Sequence, residues 1–237
     1  MNSSFVHSFN LVAAVSADLN MSRYHPHPHD HSSSSQPTYL ERQALKDQVL
    51  ELAKLQDWQG VLSFYDAHPN FHEPLLVWIR PTWNAMEFIR KTLNSLQIPS
   101  ILSIGCGCGF FEWLLGCATH LQVSGLEVNQ SWWDSRHATP TMIPLTFTEP
   151  GQVPDLPPAS ALLFCYFNNL EFFHQYLKHY RGSCLILIGP IDGRRHCAPE
   201  PFDLPHGTES EWALLDSHEI KANNRDVIAI YQRRTDT

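Results

Sequence analysis

The sequence carries little charge, and most of that charge is negative. Charged residues make up 17% of the 237 positions, with 16 basic and 24 acidic side chains and a formal net charge of −8. A chain with this balance lacks the broad positive field that draws proteins to nucleic acid. It also lacks the Gly-Lys-Ser/Thr of a Walker loop, and no apolar run reaches the length of a membrane span. Neither nucleic acid nor a membrane is therefore indicated as a partner.

Paired cysteines of the Cys-x-x-Cys type are also absent, which argues against a structural zinc site. The six cysteines lie mostly in or beside apolar runs, as small buried side chains do. They are Cys106, Cys108, Cys117, Cys165, Cys184 and Cys197. Such cysteines are typical of reduced proteins inside the cell, so we expect a cytoplasmic chain without a bound metal.

Residues 1–37 lack the apolar content of a folded segment. Four histidines alternate with other residues there, at His25, His27, His29 and His31. A Ser/His/Pro-rich segment of this kind cannot bury enough apolar surface to fold alone, so it is predicted to be a disordered tail. The histidines could chelate a divalent ion, but a solvated tail is the simpler interpretation and no metal is assigned. No secretory signal is expected, because no basic residue precedes the short apolar patch at 11–15.

Residues 38–98 have the periodicity of amphipathic helices. Leu45 and Val49 lie on one face of a first predicted helix. A second helix is predicted over 57–67 and a third over about 83–96, where apolar side chains recur at three- and four-residue spacing. We expect this helical lead-in to pack on the domain that follows and to cap its ligand site.

The most informative stretch runs from Ser100 to Glu127. A short apolar segment enters a glycine-rich turn, a helical segment begins at Phe110, and a second apolar segment ends at the acid. Glycine allows a positive φ and lets a ligand approach the backbone closely. An acid at the tip of the next strand can hydrogen-bond the hydroxyls of a ribose. This order of elements predicts the first half of a nucleoside-binding α/β sheet.

The glycine pattern resembles the first two motifs of class I S-adenosylmethionine-dependent methyltransferases. By that resemblance, the loop residues Gly105, Cys106, Gly107 and Gly109 would line the methionine part of S-adenosylmethionine, and Glu127 would bind its ribose. The resemblance covers about residues 99–233. It implies a Rossmann-like, mostly parallel sheet with a C-terminal antiparallel hairpin, and an S-adenosylmethionine-binding domain at 99–237.

Later segments fit such a sheet. Further strands are predicted at 142–147, 161–164 and 184–188. Four prolines within 150–158 make a helix after the third strand short or absent. Residues 212–220 and 227–232 are predicted to form the terminal hairpin.

One position departs from the family pattern. The family usually has Asp or Glu two residues before the first glycine, where this chain has Ser103, so no residue is assigned to the ammonium of the cofactor. After the fourth strand, Tyr166 and Asn168 are the local candidates for contacting cofactor or substrate, since the carboxyl ends of parallel strands form the site. Arg80, between two tryptophans, could hold the cofactor's carboxylate through its planar fork, or could lie over aromatic surface at a helix start.

The sequence therefore predicts an S-adenosylmethionine-dependent methyltransferase whose acceptor is a small molecule or protein rather than nucleic acid. A catalytically inactive, methyltransferase-like binding or scaffold protein is the alternative, motivated by Ser103. A nicotinamide oxidoreductase is disfavoured, because Phe110 is too bulky for a dinucleotide loop. The long segment 191–206 carries Arg194, Arg195 and His196, which could meet an acidic substrate group or act as a base, or could be an ordinary solvated loop.

Overall fold

The structure is a computed structural model that describes residues 38–191, 193, 197–220 and 225–234. Several sequence predictions lie outside the described residues. They are the tail at 1–37 with its four histidines and the cluster Arg194, Arg195 and His196.

The described chain begins with three helices, each started by a side-chain cap. These are α1 (Tyr39–Lys54), α2 (Trp58–Ala67) and α3 (Trp83–Ser95). Thr38, Asp57 and Thr82 accept hydrogen bonds from backbone amides of the first turns, which satisfies donors that have no partner within a helix. The sequence therefore sets the start of each helix locally.

Seven strands and three further helices follow. In chain order they are β1 (Ser100–Ile104), α4 (Phe110–Thr119), β2 (Gln122–Val128), α5 (Gln130–Trp133), β3 (Leu145–Thr148), β4 (Ser160–Cys165), α6 (Leu170–His179), β5 (Cys184–Pro190), β6 (Trp212–Ile220) and β7 (Asp226–Arg233). The third strand is shorter than predicted and begins after Pro144, whose carbonyl accepts from Gly125.

All seven strands form one sheet in the order β3-β2-β1-β4-β5-β7-β6. Strands β1 to β5 pair in parallel, and β7 runs antiparallel to both β5 and β6. The parallel pairing of β1 to β5 and the reversed β7 confirm the predicted Rossmann-like, mostly parallel sheet with a C-terminal antiparallel hairpin. The switch in strand order beside β1 places the carboxyl ends of β1 and β4 next to one another, where open α/β sheets bind ligands.

Apolar side chains fill both faces of the sheet. One core cluster joins one face to α1–α4, and the other joins the opposite face to α6. Strands β4 and β5 are almost wholly buried, which explains their continuous apolar sequence. Within the described ranges, every helix is too short or too polar to cross a bilayer. The cytoplasmic location stays a prediction.

Candidate functional site

The loop between β1 and α4 needs glycine at each predicted position. Gly105, Gly107 and Gly109 have φ of 68°, 63° and 73°, which L side chains adopt only at a cost. A Cβ on Gly109 would also lie 2.4 Å from Cγ1 of Ile143, whereas one on Gly107 would meet nothing within 4 Å. The loop is therefore held closely at its helix end and open at its centre.

Cys106 belongs to the loop by its backbone, while its thiol packs onto β2. A Cβ on Gly125 would lie 2.3 Å from Cys106 Sγ, so the glycine in β2 makes room for the sulfur. Burial raises the pKa of the Cys106 thiol well above its ordinary value. The thiol is therefore protonated near neutral pH and is a packing group rather than a nucleophile.

Glu127 lies at the end of β2, beside the glycine loop between β1 and α4. Its Oε1 accepts from the Gly107 amide at 2.6 Å and its Oε2 from the Val128 amide at 3.2 Å. The residue is only 6% exposed, and burial raises its pKa to about 7 against the opposing effect of the two amides. A carboxylate oxygen has more than one lone pair, so both oxygens can still accept from a ligand.

A cleft opens over the carboxyl ends of β1 and β2. Its volume is about 550 Å³ when the open mouth is included. The lining residues are Ile104, Gly105, Leu126, Glu127, Val128, Gly151, Gln152, Phe167, Asn169, Phe172 and Tyr176. The cleft is thus mainly apolar and carries one acid.

The segment after β4 contributes differently from the prediction. Asn168 is exposed, and it is the neighbouring Asn169 that lines the cleft and caps α6, with its Oδ1 3.1 Å from the Phe172 amide. Tyr166 has a φ of 52°, and its hydroxyl donates to Asp226 at 2.6 Å. Its ring stacks on Trp78 with centroids 5.6 Å apart. Tyr166 is therefore held between β7 and the N-terminal segment, beside the cleft rather than in its lining.

Arg80 is occupied by the N-terminal segment. Its guanidinium donates to the backbone carbonyls of Tyr65, His68 and Pro69 and lies 5.6 Å from the centroid of the Tyr65 ring. These contacts fit the interpretation of Arg80 as a group over aromatic surface. The structure does not bring Arg80 into the lining of the cleft.

A buried polar pair joins the end of β1 to the first turn of α4, and it was not predicted from the sequence. Ser103 is fully buried, and its hydroxyl donates to Oε1 of Glu112 at 2.7 Å. Glu112 lies in the first turn of α4 and is 2% exposed. Burial raises its pKa to about 7, with hydrogen bonds from Ser103 and its own amide opposing and Glu127 adding to the increase. The available signal was a single acid inside the apolar sequence Phe-Phe-Glu-Trp-Leu-Leu.

Phe167, Phe172 and Tyr176 were also missed as cleft residues. Phe167 follows β4, and the other two lie on α6. Aromatic side chains at helical spacing look the same whether they face a core or a ligand, so no sequence signal separated the two cases. Among the described residues, no group of three or more His, Cys, Asp or Glu side chains is placed to hold a metal ion. None of the six cysteines forms a disulfide.

Comparison with known proteins finds similarity only among solved structures. No protein-family model and no curated protein matches the sequence. A magnesium protoporphyrin IX methyltransferase from Synechocystis PCC 6803, with bound S-adenosylhomocysteine, is 12% identical with a TM-score of 0.42, covering 64% of this chain and 83% of that one.

Two further structures are similar at the same level. The methyltransferase domain of bacterial CtHen1 is 13% identical with a TM-score of 0.40, covering 62% and 96% of the two chains. An O-methyltransferase from neocarzinostatin biosynthesis, in complex with S-adenosylmethionine, is 10% identical with a TM-score of 0.42, covering 63% and 57%. Likeness this distant carries no argument about cofactor or substrate, and the fold assignment rests on the strand order.

Proposed function

We propose that the chain binds S-adenosylmethionine in the cleft and transfers its methyl group to a small-molecule or protein acceptor. The observation that carries this proposal is Glu127, a carboxylate that lines the cleft and is fixed by the Gly107 amide of the glycine loop. A buried carboxylate at the tip of β2 is suited to accept hydrogen bonds from the two hydroxyls of a ribose.

The walls of the cleft fit the remainder of a nucleoside. Leu126, Phe167, Phe172 and Tyr176 form a mainly apolar enclosure next to the acid. A flat base placed between aromatic and aliphatic side chains is stabilised by burial and by ring packing. The polar groups of Gln152 and Asn169 also line the cleft and offer hydrogen-bond partners to the edge of a base. The residues present therefore fit the proposed cofactor.

Methyl transfer requires little acid–base catalysis from the protein. Bound S-adenosylmethionine would supply a methyl group on a positively charged sulfur; a nucleophile of the acceptor would attack the methyl carbon in line, the carbon–sulfur bond would break, and S-adenosylhomocysteine would be the leaving group. Such a step needs alignment and exclusion of water more than a dedicated acid–base pair. Tyr166 and Trp78 form a stacked aromatic pair beside the cleft, and we assign this pair to the acceptor side of the site.

Calorimetric titration tests the cofactor assignment. We expect S-adenosylmethionine and S-adenosylhomocysteine to bind with micromolar affinity, on the order of −8 kcal/mol. Glu127→Gln keeps the shape of the side chain but removes the charge that ribose hydroxyls would meet. Hydrogen bonds to charged groups contribute about 1.5–3 kcal/mol, so the variant should bind roughly 10- to 100-fold more weakly.

Glu51→Gln is the matched control, because it makes the same chemical change at an exposed position on α1 and should bind as the wild type does. If the wild-type protein binds neither ligand, the methyltransferase proposal fails and the inactive scaffold becomes the better hypothesis. If both ligands bind, transfer of a labelled methyl group to candidate acceptors is the next measurement.

A further inference from the structure

Glu112 is a buried acid to which the described chain gives no cationic partner. Its carboxylate accepts from the Ser103 hydroxyl, and none of the ion pairs among the described residues includes it. An ionised carboxylate out of water is costly unless a positive charge compensates it. The negative charge of Glu127 instead disfavours the ionised form of Glu112 and raises its pKa further. A cation bound nearby would therefore stabilise the ionised form of Glu112.

Neither Glu112 nor Ser103 lines the cleft, but the pair adjoins its lining, because the lining residues Ile104 and Gly105 directly follow Ser103. Ser103, the hydrogen-bond partner of Glu112, pairs with Gly125 of β2 and Leu163 of β4 and lies one residue before the end of β1. The charge of Glu112 adds to burial in raising the pKa of the Cys106 thiol in the loop and of the Cys165 thiol at the end of β4. The carboxylate therefore lies beside Ser103 of β1, near the start of the glycine loop and the end of β4.

The helix start fixes the carboxylate in that place. Gly109, with its positive φ, is the N-cap of α4, and Glu112 is in the first turn, where its own backbone amide also donates to the carboxylate. Ser103 holds the other side. A buried side chain fixed from two elements keeps its charge in one location, which is the requirement for electrostatic recognition.

We propose that Glu112, positioned by Ser103, supplies the negative charge that stabilises the ammonium group of the cofactor's amino-acid part. This inference rests on the proposed function and assigns the ammonium to an acid of α4, which compensates for the missing acid at the Ser103 position of β1. In this arrangement Glu127 binds the ribose of the cofactor and Glu112 stabilises its ammonium group.

Three nucleoside ligands distinguish recognition of the ammonium by Glu112 from a general effect of this residue on ligand binding. S-adenosylhomocysteine carries both ammonium and carboxylate. 5′-(3-Aminopropylthio)adenosine keeps the ammonium and lacks the carboxylate, and 5′-methylthioadenosine lacks both. We expect Glu112→Gln to weaken the first two ligands on the order of 10-fold or more and to leave 5′-methylthioadenosine within about twofold, in the range of a neutral substitution. Glu127→Gln should weaken all three, because all three contain the ribose.

Controls and outcomes are distinct. Unchanged binding of 5′-methylthioadenosine by Glu112→Gln shows that the variant is folded, and Ser103→Ala should give a smaller loss with the same ligand pattern, because the charge remains. Equal losses for all three ligands, or no loss for any, would overturn the role of Glu112 while leaving the proposed function in place. Failure of the wild-type protein to bind any of the three would overturn both proposals.

Proton release gives a second readout that a merely structural role would not produce. An ammonium near Glu112 favours its ionised form, so binding of the aminopropyl ligand at pH 7 should release more protons than binding of 5′-methylthioadenosine. Calorimetry in buffers of different ionisation enthalpy measures this difference. The other titratable groups around Glu112 are Glu127, which acts equally on both ligands, and the thiols of Cys106, Cys108 and Cys165, whose raised pKa values keep them protonated. The difference should disappear in Glu112→Gln.

Discussion

The ligand-free protein should lose stability as pH rises through the neutral range, and Glu112 should be responsible for part of that loss. Burial raises its pKa to about 7 from an ordinary value of 4.5. The unfolded chain therefore releases this proton at lower pH than the folded chain does. The contribution to stability is complete below the unfolded pKa and is lost as pH rises to the folded pKa.

The size of the effect follows from the interval between the two pKa values. Each pH unit corresponds to 1.36 kcal/mol, so one carboxyl with these two values changes the free energy of unfolding by roughly 2–3 kcal/mol between pH 5 and pH 8. Glu127 has the same raised pKa of about 7 and adds a second change of similar size. The variant Glu112→Gln should lose the pH-dependent change in unfolding free energy that Glu112 causes and keep the change that Glu127 causes.

Urea denaturation of wild type and Glu112→Gln at pH 5, 6, 7 and 8, followed by tryptophan fluorescence and far-ultraviolet circular dichroism, measures this. The comparison uses the slope with pH, because the substitution also leaves a buried amide to be satisfied, and that cost is the same at every pH. Glu51→Gln, at an exposed position, should keep the wild-type slope. Parallel curves for wild type and Glu112→Gln would refute the reasoning.

Three further predictions concern single side chains. Gly109→Ala should lower the free energy of unfolding by about 2 kcal/mol or more, because φ is 73° and the new Cβ has no room, whereas Gly107→Ala, with open space around it, should cost about 1 kcal/mol; denaturant titration of the pair compares them. Arg80→Met should lower the melting temperature without changing affinity for S-adenosylhomocysteine, and a selective loss of that affinity relative to 5′-methylthioadenosine would instead support the carboxylate-binding role. Tyr180→Phe should cost about 1–3 kcal/mol, measured by urea denaturation, because the buried hydroxyl donates to the Ser160 carbonyl at 2.5 Å; an unchanged midpoint would contradict this.

The parts of the site that could be predicted are those where chemistry and chain order coincide. The glycine loop follows β1 directly, and Glu127 ends the next strand, so a local pattern was enough to pair them. Their contact is the 2.6 Å hydrogen bond from the Gly107 amide. The α/β class also followed from the sequence, because apolar runs and helices alternate along the chain, whereas the order of the strands was not predicted.

The parts that could not be predicted depend on register and on side-chain direction. Asn168 was expected at the site, yet Asn169 lines the cleft, since a turn of one residue decides which side chain faces inward. Phe172 and Tyr176 have core spacing and still reach the ligand cleft. Glu112 was not predicted as a buried acid. The sequence of α4 is mostly apolar and does not show which way its single acid faces, because that depends on how α4 packs on β1.

The position of β7 has a consequence for the order in which the sheet is assembled during synthesis. β7 follows β6 in the chain but lies between β5 and β6 in the sheet. When β6 leaves the ribosome, the strand that joins it to the sheet has not yet been made, and β5 still presents an open edge of unpaired backbone groups. β6 can therefore join the sheet only after β7 has been made, and this half of the sheet is completed late, through contacts that are distant along the chain.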